Sequence, residues 1–464
     1  MVFDVEGSDT HNAWLGIVEI WRKSWWERAW ILQESTVPEN VSNFYLGVGP
    51  WHIRAFTPSF KVVFLCGQYS THWMAIHASI MIADHLQTIP LLNTTFLAGA
   101  SDTARKVFLL KHQRWYPGHP ELLELLQRFR HAKCSDPRDK VYSLLGLVKD
   151  PVKLQIVPEY KKPVIDVYKD SIRHCLNQQR PNLDFLGYAM KLDSPSRAIS
   201  DEICHATWPS WIPNWDDPIP LQPLPKILYS EREKPRRTLL ILESPRPQVT
   251  ERTAVGKVYD ASLDFTVDAS VSNHRLDVEG VRADIIADLW SYESMSSVEG
   301  GAKLNEWKSL LGGKYGADES FDEALARVQV ADVQYTKEGY AIARNNAVDN
   351  LLLLKPTAEL TLEEARAKAN MRVAFLSTKS LRGLCLTRKG YLAMVPSSAK
   401  IGDCICVLLG GQVTYVLRDV TGARQGNMCE YIGECYTHGL MDGEVMRWVR
   451  DGRPGFAIEQ FTLV

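Results

Sequence analysis

Four short apolar segments near the C-terminus constrain the fold most, because each has the length and bounding turns of a β-strand. They are Tyr391 to Val395, Cys404 to Leu409, Gln412 to Leu417 and Glu430 to Gly433. Gly410-Gly411 separates the second from the third, and glycine adopts a positive φ at little cost, which favours a hairpin turn. The sequence therefore predicts a β-rich C-terminal unit.

We place that unit within mixed α/β residues 257–464. The alternating residues Arg275 to Gly280 predict a further strand, followed by a helix over Ala283 to Ser291. Asp318 to Asn350 indicates more helix, and Thr361 with Glu364 three residues later predicts a capping box. The fold class expected of the whole chain is α/β plus α+β.

Residues 51–180 predict a mainly helical region. Pro120 opens one helix, with Glu121 in its first turn and an apolar face formed by Leu122, Leu125, Leu126 and Phe129. A second helix has Asp136 as its N-cap, Pro137 at its first position, and an apolar face ending before Gly146. A third helix follows Pro163, with Val164, Val167, Tyr168, Ile172 and Cys175 or Leu176 buried.

Residues 181–256 are rich in proline, and Trp208 to Trp215 is the densest part of that region. Proline keeps such a chain extended and outside regular sheets. Tryptophans need a surface to pack on, so we interpret this region as a strap laid across another element.

Length and composition exclude several classes of protein. The chain has 464 residues, enough for two or three domains, and a formal net charge of -2 that gives no overall attraction to nucleic acid or acidic lipid. Nine scattered cysteines do not fit a disulfide scaffold. The chain begins without a secretory signal, and no uninterrupted apolar run would span a bilayer. We expect a soluble, cytoplasmic protein that binds neither nucleic acid nor membrane.

Four segments together resemble the fungal heterokaryon-incompatibility (HET) domain family. They are Trp25 to Glu34, Cys134 to Leu147, Pro209 to Trp215, and a set that combines Pro396, Gly402-Asp403, Val416 to Arg418 and Tyr431 to Glu444. The motif positions are Trp26, Arg28, Trp30, Gln33, Glu34, Asp136, Pro137, Arg138, Asp139, Lys140, Tyr142, Gly146, Trp211, Trp215, Gly402, Asp403, Arg418, Gly433, Glu434, His438, Gly439, Gly443 and Glu444.

This resemblance implies that residues 1–50 are the C-terminal remnant of a TIR-like, doubly wound α/β domain. The family's earlier Ser-Tyr-x-Trp-Gly-like strand does not precede Trp25, so we expect a domain shortened at its front. Within the remnant, Trp14 to Leu32 has apolar residues near helical spacing and predicts a buried helix or helix pair. Trp30 is expected in the core.

The resemblance also implies a function. Proteins of this family act in self/non-self recognition and programmed cell death when fungal cells fuse, which indicates another protein as partner, with self-association as an option and no cofactor. The alternative is a TIR-like NAD glycohydrolase, inactive in this shortened form, in which Glu34 would be the catalytic carboxylate. Glu34 and Gln33 would otherwise cap a helix or pair with Arg28.

Other chemistry has weaker support in the sequence. The charged set Asp136, Arg138, Asp139 and Lys140 would suit a docking surface, but helix capping and the helix dipole already account for both acids. Cys429, Cys435 and His438 lie close in sequence, yet their spacing is not that of a zinc site. Buried cysteines are therefore expected, and no metal.

Overall fold

A computed structural model describes most of the C-terminal half of the chain and separate segments before it. The described residues are 27–30, 44–48, 51–55, 63–66, 69–72, 121–148, 155–177, 182–190, 208–217, 223–225, 227–232, 251–291, 298–315, 319–335, 341–344, 361, 381–420 and 427–464. The chain forms two compact units, residues 1–174 with 215–220, and residues 175–214 with 221–464.

The described helices are short. They are α1 (Leu122–Arg128), α2 (Asp139–Tyr142), α3 (Val164–Leu176), α4 (Val298–Leu310), α5 (Phe321–Gln329) and α6 (Glu444–Arg450), with 3-10 turns at Leu145–Leu147 and Asp184–Tyr188. No helix among these described residues is long and apolar enough to cross a membrane.

The described strands run from residue 44 to residue 463. They are β1 (Phe44–Val48), β2 (Trp51–Ala55), β3 (Val63–Cys66), β4 (Tyr69–His72), β5 (Ile227–Arg232), β6 (Glu251–Lys257), β7 (Ala269–Ser272), β8 (Arg275–Ser291), β9 (Lys314–Tyr315), β10 (Glu319–Ser320), β11 (Val333–Tyr335), β12 (Ala341–Arg344), β13 (Arg382–Thr387), β14 (Leu392–Pro396), β15 (Cys404–Leu408), β16 (Thr414–Asp419), β17 (Asn427–Thr437) and β18 (Glu459–Leu463).

The second unit is built on a sheet that closes on itself. Each strand pairs with the next in the circuit β8–β13–β14–β17–β16–β15 and back to β8. β18 pairs parallel with β17 and antiparallel with β8, and β7 pairs with β8. Closure satisfies backbone hydrogen bonds that an open sheet would leave at its edges.

The interior of the closed sheet is apolar. Its fully buried side chains include Val281, Ile286, Ile405, Val416 and Ile432, and α6 adds Val445 and Met446 to the same core. At the predicted hairpin, Gly410 has a φ of 80°, and a Cβ there would meet Val267. The four predicted C-terminal strands correspond to β14, β15, β16 and β17, so the β-rich unit is confirmed.

The helix predicted over Ala283 to Ser291 is wrong, because this segment is the second half of the 17-residue strand β8. Its apolar residues fit a helical period as well as a strand. β8 is held extended by non-local pairing: residues 280–285 pair with β15, and residues 286–291 pair with β13. Tertiary pairing overrides the local preference here.

Among the described residues between 319 and 344, the predicted helix is present as α5, and β11 and β12 occupy later parts of that range. α5 begins with a capping box, in which Ser320 and Glu323 bond reciprocally. The capping box predicted at Thr361 and Glu364 lies outside the described residues, apart from Thr361 itself, which is exposed.

The helical predictions for the middle of the chain agree better with the structure. α1 buries Leu122, Leu125 and Leu126, and α3 buries Val167, Tyr168, Ile172 and Cys175. Strands β2, β3 and β4 also lie between residues 51 and 72, and β5 and β6 lie between residues 227 and 257. The boundaries at residues 50, 180 and 256 stay predictions.

The described elements fit an α+β class, with helices beside a large antiparallel sheet. β1 pairs with β2, and β3 with β4, as antiparallel hairpins. The TIR-like, doubly wound arrangement stays a prediction. The predicted helix over Trp14 to Leu32 lies outside the described residues except for residues 27–30.

Candidate functional site

The motif from Cys134 to Leu147 uses its polar side chains to hold nearby backbone. Asp136 accepts a hydrogen bond from the backbone N–H of Arg138 at 3.0 Å and pairs with its guanidinium at 2.8 Å. This guanidinium bond lowers the pKa of Asp136. The N-cap predicted at Asp136 is wrong, because α2 begins at Asp139 with Arg138 as its N-cap, and Asp136 instead bonds the backbone of the turn before the helix. Arg138 also donates to the carbonyl oxygens of Tyr160 and Lys162.

Lys140 is the most enclosed charged side chain of this motif, with 8% of its side chain exposed. Its Nζ donates to the carbonyl oxygens of Arg130 at 2.9 Å and Ala132 at 2.7 Å, and lies 3.7 Å from a carboxylate oxygen of Asp216. Burial raises the pKa of the neighbouring Cys134 thiol to about 11. The Lys140 ammonium therefore donates to carbonyl oxygens in the interior and does not face solvent.

Asp139 and Tyr142 hold the loop before α3. The Tyr160 hydroxyl donates to Asp139 at 2.6 Å, and this bond raises the pKa of Tyr160 to about 12. The Tyr142 hydroxyl donates to the carbonyl of Glu159 and accepts from its N–H, both at 3.1 Å. The carbonyl of Pro137 accepts from Tyr168 at 3.0 Å. Gly146 lies in the 3-10 turn that follows α2.

The first motif is described only in part. Arg28 is exposed and forms an isolated parallel bridge with Lys133. Ala29 is buried, with 3% of its surface exposed, whereas Trp30 is half-buried, so Ala29 and not Trp30 takes the fully buried position. Trp26, Gln33 and Glu34 lie outside the described residues.

The two motif tryptophans of the proline-rich segment are buried. Trp211 is fully buried in the second unit, and its indole N–H donates to the carbonyl of His274 at 3.0 Å. Trp215 belongs to the first unit, where the guanidinium carbon of Arg130 lies 5.6 Å from its ring centroid. Each of these side chains therefore holds the backbone around it in place.

Asp403 and Arg418 form a closed pair at one turn of the sheet. Two guanidinium nitrogens of Arg418 contact the two carboxylate oxygens of Asp403, each at 2.8 Å, and Arg418 also donates to the carbonyl of Ser398. Asp403 additionally accepts from the backbone N–H of Lys400 at 2.7 Å. Gly402, with a φ of 95°, makes the turn before Asp403. The pair fixes the turn between β14 and β15.

Glu434 is a buried carboxylate on β17, with 1% exposed. It accepts a hydrogen bond from the backbone N–H of Leu224 at 3.0 Å. A Cβ at Gly187 would lie 2.8 Å from its Oε1, so only glycine leaves room there. Burial, with Glu434 as the next contribution, raises the pKa values of Tyr415 and Tyr431. Glu434 thus holds the backbone at Leu224 against β17.

His438 lies at the centre of a polar group that the motif alone does not reveal. Its Nε2 lies 2.7 Å from a carboxylate oxygen of Glu319, and its Nδ1 lies 2.9 Å from the hydroxyl of Tyr436. The Tyr315 hydroxyl donates to the backbone carbonyl of His438 at 2.7 Å. Arg327 pairs with Glu319 at 2.9 Å.

The order Tyr436, His438, Glu319 is that of a nucleophile, a base and an orienting carboxylate. Tyr436 is only 1% exposed, however, and its ring packs on Tyr259 at a centroid distance of 5.8 Å. A substrate does not reach this hydroxyl in the described conformation. The group instead connects β9 and β10 to the end of β17.

The remaining glycine motif positions belong to turns and a helix start. Gly433 lies within β17, where a Cβ would be 2.6 Å from Pro396. Gly439 has a positive φ of 86°, and Gly443 is the N-cap of α6. Glu444 is the first residue of that helix and lies 3.4 Å from Arg447.

The cysteines behave as buried apolar residues. Burial raises the pKa values of the Cys404, Cys406, Cys429 and Cys435 thiols. Cys404 and Cys429 lie near the guanidinium of Arg282, at 3.0 Å and 3.9 Å. Within the described part of the chain, no group of three or more potential ligand side chains could hold a metal ion.

The motif positions thus fall into separate groups within each unit, and most of their polar atoms contact the protein itself. Sequence reasoning missed Glu319, Tyr315 and Arg327, which surround His438. They are far from His438 along the chain, and only the fold brings them together.

Two comparisons with known proteins bear on this arrangement. Residues 354–456 match the Het-6 beta-barrel domain. The chain is also similar to heterokaryon incompatibility protein 6, OR allele, of Neurospora crassa, at 25% identity over 450 residues that cover 85% of this chain and 64% of the relative. The chain thus spans less than two thirds of that relative. No solved structure matches the chain.

The segment that matches the Het-6 beta-barrel domain forms much of the closed sheet, and the chain is similar to a protein named for heterokaryon incompatibility. The matched segment includes β13 to β17 and α6, whereas β8 and β18 lie outside it. Because β8 joins β13 to β15, residues beyond the match are needed to close the sheet.

Proposed function

We propose that this chain is a self/non-self recognition protein that acts by contact with another protein and is linked to cell death after fungal cells fuse. The similar protein of Neurospora crassa is named for heterokaryon incompatibility. Recognition by contact needs a stable shape with distinct surfaces, and it needs no bound cofactor.

One observation carries the proposal: most of the described charged side chains of the motifs bind other groups of the chain. Lys140 binds interior carbonyl groups, Arg418 binds Asp403, and His438 binds Glu319. A family motif whose polar atoms are occupied in this way preserves a shape. Such a shape is suited to present a surface to a partner.

Fusion of fungal cells tests the proposal. One strain would express the full chain, and a panel of tester strains that differ at their incompatibility loci would be fused with it, with viability followed by a vital dye. We expect death in some pairings and survival in others, and survival of the expressing strain alone. Recovery of one tester protein with the tagged chain only in lethal pairings would support contact. Uniform survival in every pairing would contradict the proposal.

The NAD glycohydrolase alternative predicts a different result in the same fusions. Glu34→Gln would abolish death if this carboxylate hydrolysed NAD, because the amide is a poor general base. Under recognition by contact, Glu34→Gln keeps the response of the unaltered chain, and NAD levels in surviving cells do not change.

A further inference from the structure

Four side chains beside α6 form a row in which two aromatic rings lie between two cations. The Arg453 guanidinium carbon lies 5.2 Å from the Trp448 ring centroid, and the Trp448 and Phe456 centroids are 4.8 Å apart. The Lys389 Nζ lies 4.3 Å from the Phe456 centroid. We call these four residues the cation–aromatic row. Both of its cations are exposed, and both rings are half-buried.

The backbone fixes the row in place. Arg453 donates its N–H to the carbonyl of Trp448 at 2.9 Å, and Phe456 donates to the carbonyl of Arg453 at 3.3 Å. The Lys389 backbone N–H donates to Asp284 at 2.9 Å, and its Nζ donates to the carbonyl of Ala283 at 2.6 Å. The row is therefore held in position before any partner arrives, which lowers the entropy lost on binding.

The cations of the row differ from most described arginines in having no ion pair with a described carboxylate of the chain. Ion pairs within the chain involve Arg128, Arg138, Arg173, Arg282, Arg327, Arg418, Arg447 and Arg450. Among the residues that the structure describes, Lys389, Arg453 and the adjacent Arg388 have no carboxylate within ion-pair distance. Lys389 and Arg453 at the ends of the row, and Arg388 next to Lys389 in the chain, are exposed and thus keep their charge available for an outside partner.

We infer that the cation–aromatic row, with Arg388, is an interaction surface for an acidic segment of a partner protein. Carboxylates of such a segment complement the three cations. Ile458, two residues after Phe456 in the chain, is 39% exposed and offers an apolar contact. The inference rests on the proposed function, since it names the chemistry of the partner. Nucleic acid fits less well, because stacking on bases needs free ring faces and both rings here have a cation of the chain over them.

Direct binding by the purified full chain tests this inference without a fungal partner. The probe is a fluorescein-labelled oligoglutamate peptide, followed by fluorescence anisotropy. The row variant carries Arg388→Gln, Lys389→Gln and Arg453→Gln. A matched control carries Arg275→Gln, Lys161→Gln and Lys314→Gln, which removes the same charge from exposed positions elsewhere.

We expect the row variant to bind the peptide at least about tenfold more weakly, and the control to stay within about twofold, because rim charges act locally at moderate salt. Equal loss in both variants, or no binding by the unaltered chain, would overturn the inference. So would tighter, row-dependent binding of a single-stranded oligonucleotide of equal charge.

A salt titration of the unaltered chain needs no variant and gives a second measurement. Peptide affinity should fall as salt rises, and an unchanged affinity would overturn the inference. Since the peptide assay does not involve cell fusion, a failure here leaves the fusion result to decide the proposed function. If the cells survive in every fusion, the peptide result still holds as a property of this surface.

Discussion

The helices of residues 121–177 and the closed sheet of residues 275–463 keep their shapes by different means. In the helical part, α2 has only four residues, and side chains such as Arg138, Lys140 and Tyr142 bind the backbone of neighbouring loops. In the sheet, backbone pairing runs around a complete circuit, and side chains fill its interior. Motif residues of the helical part therefore hold neighbouring backbone through side-chain hydrogen bonds. Motif residues of the second unit instead attach turns and loops to the closed sheet.

The two regions also differ in whether their secondary structure depends on nearby residues or on partners distant in the sequence. α1 and α3 follow from apolar spacing and proline within one stretch of sequence, whereas β8 exists because β13, β15 and β18 pair with it. In the helical part, each hydrogen bond from a side chain to the backbone can be removed separately by one substitution. A closed sheet should lose stability cooperatively when one of its attachments is removed, and the following predictions test this contrast.

The largest effect is expected from Trp211→Ala, which removes a fully buried side chain from the second unit. The free energy of opening of β17 and β18 amides, measured by native-state hydrogen exchange, should fall by about 3–5 kcal/mol. Trp208→Ala is the control, because Trp208 is half-buried and its indole N–H donates to the carbonyl of Ile212, four residues along the chain. A fall below about 1 kcal/mol for Trp211→Ala would mean that the strap does not stabilise the sheet.

Leu144→Ala should come next. Leu144 is 2% exposed, so the truncation leaves a cavity and should lower the opening free energy of amides in residues 139–148 by about 2–5 kcal/mol. The control is Leu310→Ala, at a leucine that is 70% exposed, where the change should stay below about 0.5 kcal/mol. Similar small values for both would place Leu144 outside the core.

Lys140→Met tests the hydrogen bonds from side chain to backbone at nearly constant side-chain length. The carbonyl groups of Arg130 and Ala132 would lose their donor, which should destabilise the same amides by about 1–3 kcal/mol. Lys161→Met at an exposed position should change them little. If Lys140→Met is neutral, its contacts do not hold the motif together.

The smallest effect is a pH dependence at Asp136. Arg138 lowers the pKa of this carboxyl in the folded chain, so its stabilisation is fully present above the unfolded value of about 3.9 and is lost as pH falls through the lower folded value. Asp136→Asn should therefore cost about 0.5–1 kcal/mol at neutral pH, with the difference disappearing in acid. Asp268→Asn, at an exposed acid, is the control, and a difference that grows in acid would reverse the assigned sign.

The sequence predicts those features whose causes are local. The Gly410-Gly411 turn and the apolar faces of α1 and α3 each depend on a few neighbouring residues. Ala283 to Ser291 could not be assigned correctly, because its apolar spacing fits two periods and only its partners decide between them.

The same limit applies to the candidate site. The motif positions His438 and Arg418 were identified, and Asp403 was identified with its neighbour Gly402. Glu319 was missed because it reaches His438 from a segment 119 residues earlier in the chain. The cation–aromatic row has no sequence signature either, since Lys389 lies in the β13–β14 turn, Phe456 follows α6, and only the fold brings the two side chains together.

The most direct test of recognition by contact compares two variants in the same fungal fusions. The row variant, Arg388→Gln with Lys389→Gln and Arg453→Gln, should abolish pairing-dependent death while its thermal midpoint equals that of the unaltered chain. Glu34→Gln should leave that death unchanged. Full killing by the row variant together with loss of killing by Glu34→Gln would contradict the account and assign the activity to a carboxylate-dependent reaction.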